Sequence, residues 1–230
     1  MRLRTLLASG ALALAPSVLL FAMPSGPQEY LDAIKATPDP ERGAHYFAVC
    51  SNCHGVKGGG TVDGKVPRIA GQYFEVVTRQ LVAFRHGGRW DLLMENFADR
   101  HRLPDAQAIA DVAGYVSRLD DPSPPGMGSG DRVAAGARIY FRQCETCHGS
   151  SGQGDPEHAV PKLAGQHYEY LRRQIYDAVD GRRPGFPASH VRLLAQLDHD
   201  AIEGVADYLS RIAPRYAEPT IIPATQRPAT

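Results

Sequence analysis

The chain has 230 residues, 43% hydrophobic and 22% charged, enough apolar material for one large domain or two small ones and too much for an intrinsically disordered protein. Lys and Arg together number 25, as do Asp and Glu, and no basic run exceeds two residues. The positive field that nucleic-acid binding draws on is therefore missing.

At the amino terminus, Arg2 and Arg4 precede an apolar stretch from Leu6 to Met23, interrupted by Ser9-Gly10 and Pro16 and closed by Pro24-Ser25-Gly26-Pro27. This is the layout of a secretory signal over residues 1–24. The Ala22-Met23-Pro24 junction departs from the small-residue cleavage pattern, so an uncleaved membrane anchor is the other reading of the same stretch. Charged residues recur through the rest of the chain, and the body is expected to be soluble and exported to the periplasm.

Helical periodicity follows. A helix is expected from about Pro40 to Val49, proline suiting its first position, leading into Cys50-Ser51-Asn52-Cys53-His54. Phe74, Val77, Leu81 and Phe84 step by three and four, as do Ile109, Val112, Val116 and Leu119. Asp120 to Gly130 is rich in proline and glycine and reads as a linker, centred on residues 122–130. A second series then begins: a helix from about Asp131 to Arg142, the motif Cys144-Glu145-Thr146-Cys147-His148, and helical spacings at Tyr168, Leu171, Ile175 and Val179 and at Ile202, Val205, Leu209 and Ile212. The tail, residues 215–230, carries Pro219, Pro223 and Pro228 and is expected to form no helix. No alternating strand of useful length appears.

The two series are copies. At an offset of 94, Cys50, Cys53, His54, Pro67 and Ala70-Gly71-Gln72 fall on Cys144, Cys147, His148, Pro161 and Ala164-Gly165-Gln166, and Arg79, Gln80, Gly87 and Arg89 fall on Arg173, Gln174, Gly181 and Arg183. Tyr115-Val-Ser-Arg-Leu119 matches Tyr208-Leu-Ser-Arg-Ile212 at an offset of 93, so the copies differ in length between Arg89 and Tyr115. The fold class expected is all-α, with two tandem domains over residues 25–121 and 131–214 related by internal duplication. Domains of about 90 residues have marginal cores, and an internal cofactor would complete them.

Cys-x-x-Cys-His is the pattern of covalent haem c attachment. Two thiols three residues apart at a helix end can add to the two vinyl groups of one porphyrin, and the adjoining imidazole points at the iron. A thioredoxin-like dithiol would need a strand-to-helix junction, which the periodicity does not offer. A zinc site would need donors that one such motif cannot place around one metal, and a plain disulfide gives no reason for a histidine after both pairs. Two covalently bound haem c groups are expected, on Cys50 and Cys53 and on Cys144 and Cys147.

With each Cys-x-x-Cys-His followed by Pro-x-x-Ala-Gly-Gln, an aromatic residue, a helix containing Arg-Gln, a Gly-x-Arg turn and a closing helix with Tyr-x-Ser-Arg, the chain resembles the dihaem cytochromes c of the cytochrome c4 type over residues 40–213. The resemblance implies two class I cytochrome c folds with facing haems, relaying electrons in the periplasm, and His54 and His148 as proximal iron ligands. The cytochrome subunit of flavocytochrome c sulfide dehydrogenases is similar to the same pattern.

Class I cytochromes usually supply a methionine as sixth ligand from the loop before the last helix. Met94 is the methionine of that loop in the first copy. It lies 15 residues before Ile109, whereas the second copy suggests 12, where Phe97 stands; a rearranged loop is expected, with His101 as the fallback. The second copy has no methionine after Met127. His190, 12 residues before Ile202, takes the family's methionine place and is the expected ligand, ahead of His158, His167, His199 or an open iron. Thioether ligation raises the potential relative to imidazole, so the first haem is expected to sit higher.

Pro67 and Pro161 are read as carbonyl acceptors for the proximal imidazoles or as turn residues. Arg79, Arg89, Arg173 and Arg183 suit haem propionates or a solvated helix face. Tyr115 and Tyr208 are read as packing residues, and Gly58-Gly59-Gly60 as a flexible stretch near the haem edge. The function expected is a single-electron relay between a periplasmic dehydrogenase or membrane quinol oxidase and a terminal oxidase or reductase, its partners being redox proteins. The alternatives are a haem enzyme with an open second iron, acting on a small sulfur or nitrogen compound or peroxide, and a haem subunit bound to a catalytic partner.

Overall fold

The structure, a computed structural model, describes residues 25–213; the expected leader and tail lie outside them. Among the described residues ten helices follow in chain order: α1 (Ser25–Lys35), α2 (Pro40–His54), α3 (Phe74–Arg85), α4 (Leu92–Ala98), α5 (Ala106–Val116), α6 (Val133–Gln143), α7 (Glu145–His148), α8 (Tyr168–Val179), α9 (Ala188–Leu194) and α10 (His199–Arg211). The described residues contain no β-strand, only an isolated bridge between Asp155 and Val160.

Each half is built on one close helix crossing, α2 on α5 and α6 on α10. Glycines permit the approach: a Cβ on Gly43 would stand 2.3 Å from the Asp111 carbonyl oxygen, and one on Gly136 1.9 Å from that of Gly204. Beside each glycine an aromatic ring from the first helix meets a tyrosine from the last, Phe47 with Tyr115 at 5.2 Å and Tyr140 with Tyr208 at 5.5 Å between centroids. Both tyrosines are thus packing residues, as expected. Asp39 caps α2 by accepting from the amides of Glu41 and Arg42, and Asp111 on α5 ties the same end down by accepting from the Asp39 amide and from Arg42 Nε.

The copies differ locally. Gly43 stands seven residues before Cys50 and Gly136 eight before Cys144. With both glycines fixed at a crossing, the extra residue must be absorbed before the cysteines: α2 runs unbroken into its motif, whereas α6 stops and Cys144 takes φ −117° before α7 resumes. The helix α1 was not legible from periodicity. It packs on α3 and α5, burying Ala33 in the first core and Glu29 in an ion cluster with Arg85, His86 and Arg100.

The linker is pinned rather than slack. Asp207 accepts from the amides of Gly128 and Gly130, Arg211 donates to the Gly128 carbonyl, and the Arg68 guanidinium donates to the carbonyls of Asp121 and Ser123. The Gly58-Gly59-Gly60 run is likewise held: Gly58 accepts from the amides of Ile69 and Ala70, and Gly59 accepts from His167 Nε2. It serves close approach, not flexibility.

Candidate haem sites

Each histidine after a cysteine pair ends a helix, at His54 on α2 and His148 on α7, and each is followed by a glycine with φ +77° that turns the chain back. Both rings are buried, and Nδ1 lies 3.0 Å from the Pro67 carbonyl oxygen in the first half and 3.2 Å from that of Pro161 in the second. A carbonyl only accepts, so Nδ1 carries the proton and Nε2 keeps its lone pair for a metal. Burial lowers both histidine pKa values, to about 4 for His148, against the opposing carbonyl bonds; the neutral imidazole is the ligating form.

Cys50 and Cys144 are half-buried and Cys53 and Cys147 exposed. Burial pushes the thiols of Cys50 and Cys144 up to about 11, which argues against a low-pKa redox dithiol. No group of three or more His, Cys, Asp or Glu side chains among the described residues could hold a metal ion by itself, so a zinc reading has no donor set.

Met94 and His190 occupy equivalent places. Each is the third residue of a seven-residue helix, α4 and α9 respectively. The connections differ on both sides of them: His86–Asp91 before α4 is two residues shorter than Asp180–Pro187 before α9, and Asp99–Asp105 between α4 and α5 is three longer than Ala195–Asp198 between α9 and α10. Counting back from the last helix therefore points to Phe97, while the helices themselves pair His190 with Met94. Asp91 caps α4, accepting from the Leu93 and Met94 amides, and its charge opposes the lowering of the His54 pKa by burial. In the second half His190 faces His148 with ring centroids 6.1 Å apart. His190 also packs edge-on against Phe186, centroids 5.0 Å apart, and the Arg183 guanidinium covers that ring.

The other candidates are engaged elsewhere. His101 and His158 are exposed and bonded to Asp99 and Asp155, and His199 bonds Tyr176 and Glu203. His167 is buried, accepting from the Gly126 amide and donating to the Gly59 carbonyl.

The four repeated arginines lie where the halves meet. Arg79 donates to the Ala159 carbonyl and Arg173 to that of Lys65; Arg89 reaches Gln80, Tyr170 and Gln174, and Arg183 shares Gln80 Oε1 with it. Burial and the neighbouring Arg89 charge lower the Arg183 pKa to about 10. Neither Arg89 nor Arg183 forms an ion pair with a carboxylate among the described residues, a donor set suited to the propionates of a porphyrin. The buried cluster of the second half is small, consisting of Tyr140, Leu171, Val205, Ala206 and Leu209. The residues present fit haem c.

The family model for cytochrome c matches residues 133–213. The chain is 33% identical over 173 residues to the thiosulfate dehydrogenase electron acceptor of Thiomonas intermedia (strain K12), covering 71% of this chain and 78% of that one. It is 29% identical over 191 residues to cytochrome c4 of Stutzerimonas stutzeri, covering 76% and 89%. Among solved structures, reduced recombinant cytochrome c4 from Pseudomonas stutzeri superposes with a TM-score of 0.66 at 27% identity, over 76% of this chain and all of that one.

Proposed function

The chain belongs to the dihaem cytochromes c of the cytochrome c4 type, c-type cytochromes that carry electrons, and on that premise we propose that it relays single electrons in the periplasm between a dehydrogenase and a terminal oxidase or reductase. The donor class favoured is a dehydrogenase of small sulfur compounds, since a relative of 33% identity is named as the electron acceptor of thiosulfate dehydrogenase. The first domain, residues 25–121, would hold one haem through Cys50 and Cys53, with His54 and Met94 as the side chains that would bind its iron. The second, residues 131–214, would hold the other through Cys144 and Cys147, with His148 and His190 as the side chains that would bind its iron. Each bound iron supplies a one-electron couple; the chain orients the imidazoles, excludes water and sets the potentials.

The observation that carries this reading is His190 opposite His148. An iron closed on both faces by protein ligands has no place for a substrate, which favours a carrier over an enzyme. Thioether ligation in the first domain and bis-imidazole ligation in the second put the first haem at the higher potential. Electrons then enter through the second domain and leave through the first.

Absorption spectra of the purified holoprotein, oxidised, reduced and exposed to carbon monoxide, test the reading. The expected result is a near-infrared sulfur-to-iron band from one of the two haems and no carbon monoxide binding. Prompt binding to half the haem would overturn the carrier reading in favour of an open catalytic iron.

A further inference from the structure

The Ala-Gly-Gln segments have a use that neither copy reveals alone. In the first domain the Pro67–Arg68 peptide presents its carbonyl to His54 Nδ1 and its amide N–H to Gln166 Oε1 of the second domain at 2.9 Å. Gln166 Nε2 donates back to the Arg68 carbonyl at 2.8 Å. The mirror arrangement holds in the other direction: the Pro161–Lys162 peptide serves His148 through its carbonyl, its N–H donates to Gln72 Oε1 at 3.0 Å, and Gln72 Nε2 returns to the Lys162 carbonyl at 3.1 Å. Each glutamine thus clasps both polar groups of the residue that follows the other domain's proline.

We infer that Gln72 and Gln166 are crossed positioning residues, each tuning the haem of the opposite domain through the peptide that hydrogen-bonds its proximal histidine. The inference rests on the reading of His54 and His148 as iron ligands. A peptide whose N–H is donated becomes a stronger acceptor at its carbonyl, because hydrogen bonds in a chain polarise one another. A stronger acceptor at Nδ1 makes the imidazole a more basic ligand, which favours oxidised iron. Removing a clasp should therefore raise the potential of the haem across the boundary, not that of the haem in the glutamine's own domain. Other cross-domain bonds, from Arg79, Arg173 and His167, hold the domains together when one clasp is lost.

Gln166→Met and Gln72→Met keep the side-chain volume and remove the bonds. Spectroelectrochemical titration of each holoprotein variant, with the paramagnetically shifted axial resonances assigning each wave, reads the effect. Gln166→Met should favour reduction of the His54 haem by about threefold, about 28 mV for one electron, with a smaller change at the His148 haem; Gln72→Met should do the reverse. Shifts confined to the mutated domain, equal in both, or absent from both overturn the inference. A spectrum in which His54 or His148 is not bound to iron overturns the haem assignment instead, and the inference with it. In the wild-type holoprotein the Arg68 and Lys162 amide protons should exchange slowly with solvent, and rapid exchange of both would also overturn the clasp.

Discussion

His148 and His190 face each other with ring centroids 6.1 Å apart and planes at 71°. Two imidazoles bound on opposite sides of one metal through nitrogens at about 2 Å would have centroids about 6 Å apart, a spacing that agrees with the proposal that both rings hold one iron. His190→Ala should therefore open the second haem: carbon monoxide should bind half of the reduced haem in the variant and none in the parent, read by the absorption spectrum. His190→Met should instead raise the lower of the two potentials, because a thioether favours reduced iron.

Met94 offers the complementary test in the first domain. Met94→Ala should abolish the near-infrared sulfur-to-iron band, and Met94→His should lower the higher potential toward that of the second haem. Retention of the band in Met94→Ala would exclude Met94 as the sulfur ligand.

What the sequence disclosed was what is repeated or periodic. The two Cys-x-x-Cys-His motifs and the long helices follow from spacing alone, and α3 and α8 begin where the apolar series do, at Phe74 and Tyr168. The helix α1 escaped because its burial rests on a charged residue, Glu29, and on the small Ala33, neither of which builds an apolar stripe. The two seven-residue helices α4 and α9 are too short for periodicity to register, so the equivalence of Met94 and His190 was hidden behind unequal connections. Gln72 and Gln166 were visible as a repeat, but a bond between copies becomes visible only when the copies are placed together.

The crossing glycines give a stability prediction. A Cβ on Gly43 or Gly136 would meet backbone rather than a yielding side chain, so Gly43→Ala and Gly136→Ala should each cost about 1–3 kcal/mol. For domains of this size that lowers the thermal midpoint by about 4–8 °C per kcal/mol, measurable by calorimetry of the holoprotein.

His167 makes part of the domain boundary sensitive to acid. Burial holds its pKa below the usual 6.5, and as a neutral ring it accepts from Gly126 and donates to Gly59. The unfolded chain binds the proton more readily than the folded one, so the stability that His167 contributes is complete above 6.5 and falls as pH drops from there through the folded pKa. His167→Gln should flatten this part of the stability curve, read as chemical denaturation at pH values from about 7 to 5. An unchanged slope in the variant would remove His167 from the cause.

Glu29 anchors α1 on the helix and loops that frame Met94. Its carboxylate is buried and binds Arg85 Nη1 at 2.5 Å, His86 Nε2 at 2.7 Å and Arg100 Nη2 at 3.1 Å. Burial alone would raise its pKa, but the His86 and Arg85 bonds and the arginine charges hold it below the usual value. Arg85, itself buried, also donates to the carbonyls of Ala98, where α4 ends, and Leu103. Glu29→Ala leaves the Arg85 charge without its nearest counterion and should destabilise the first domain by about 3–5 kcal/mol. Because Arg85 would remain tied to the two carbonyls, the double variant Glu29→Ala/Arg85→Leu should lose less than the sum of the single variants, and a double-mutant cycle measures that coupling. The pair's contribution is present above the unfolded pKa of the carboxyl and lost as pH falls through its depressed folded value, so the coupling should shrink when the cycle is repeated in acid.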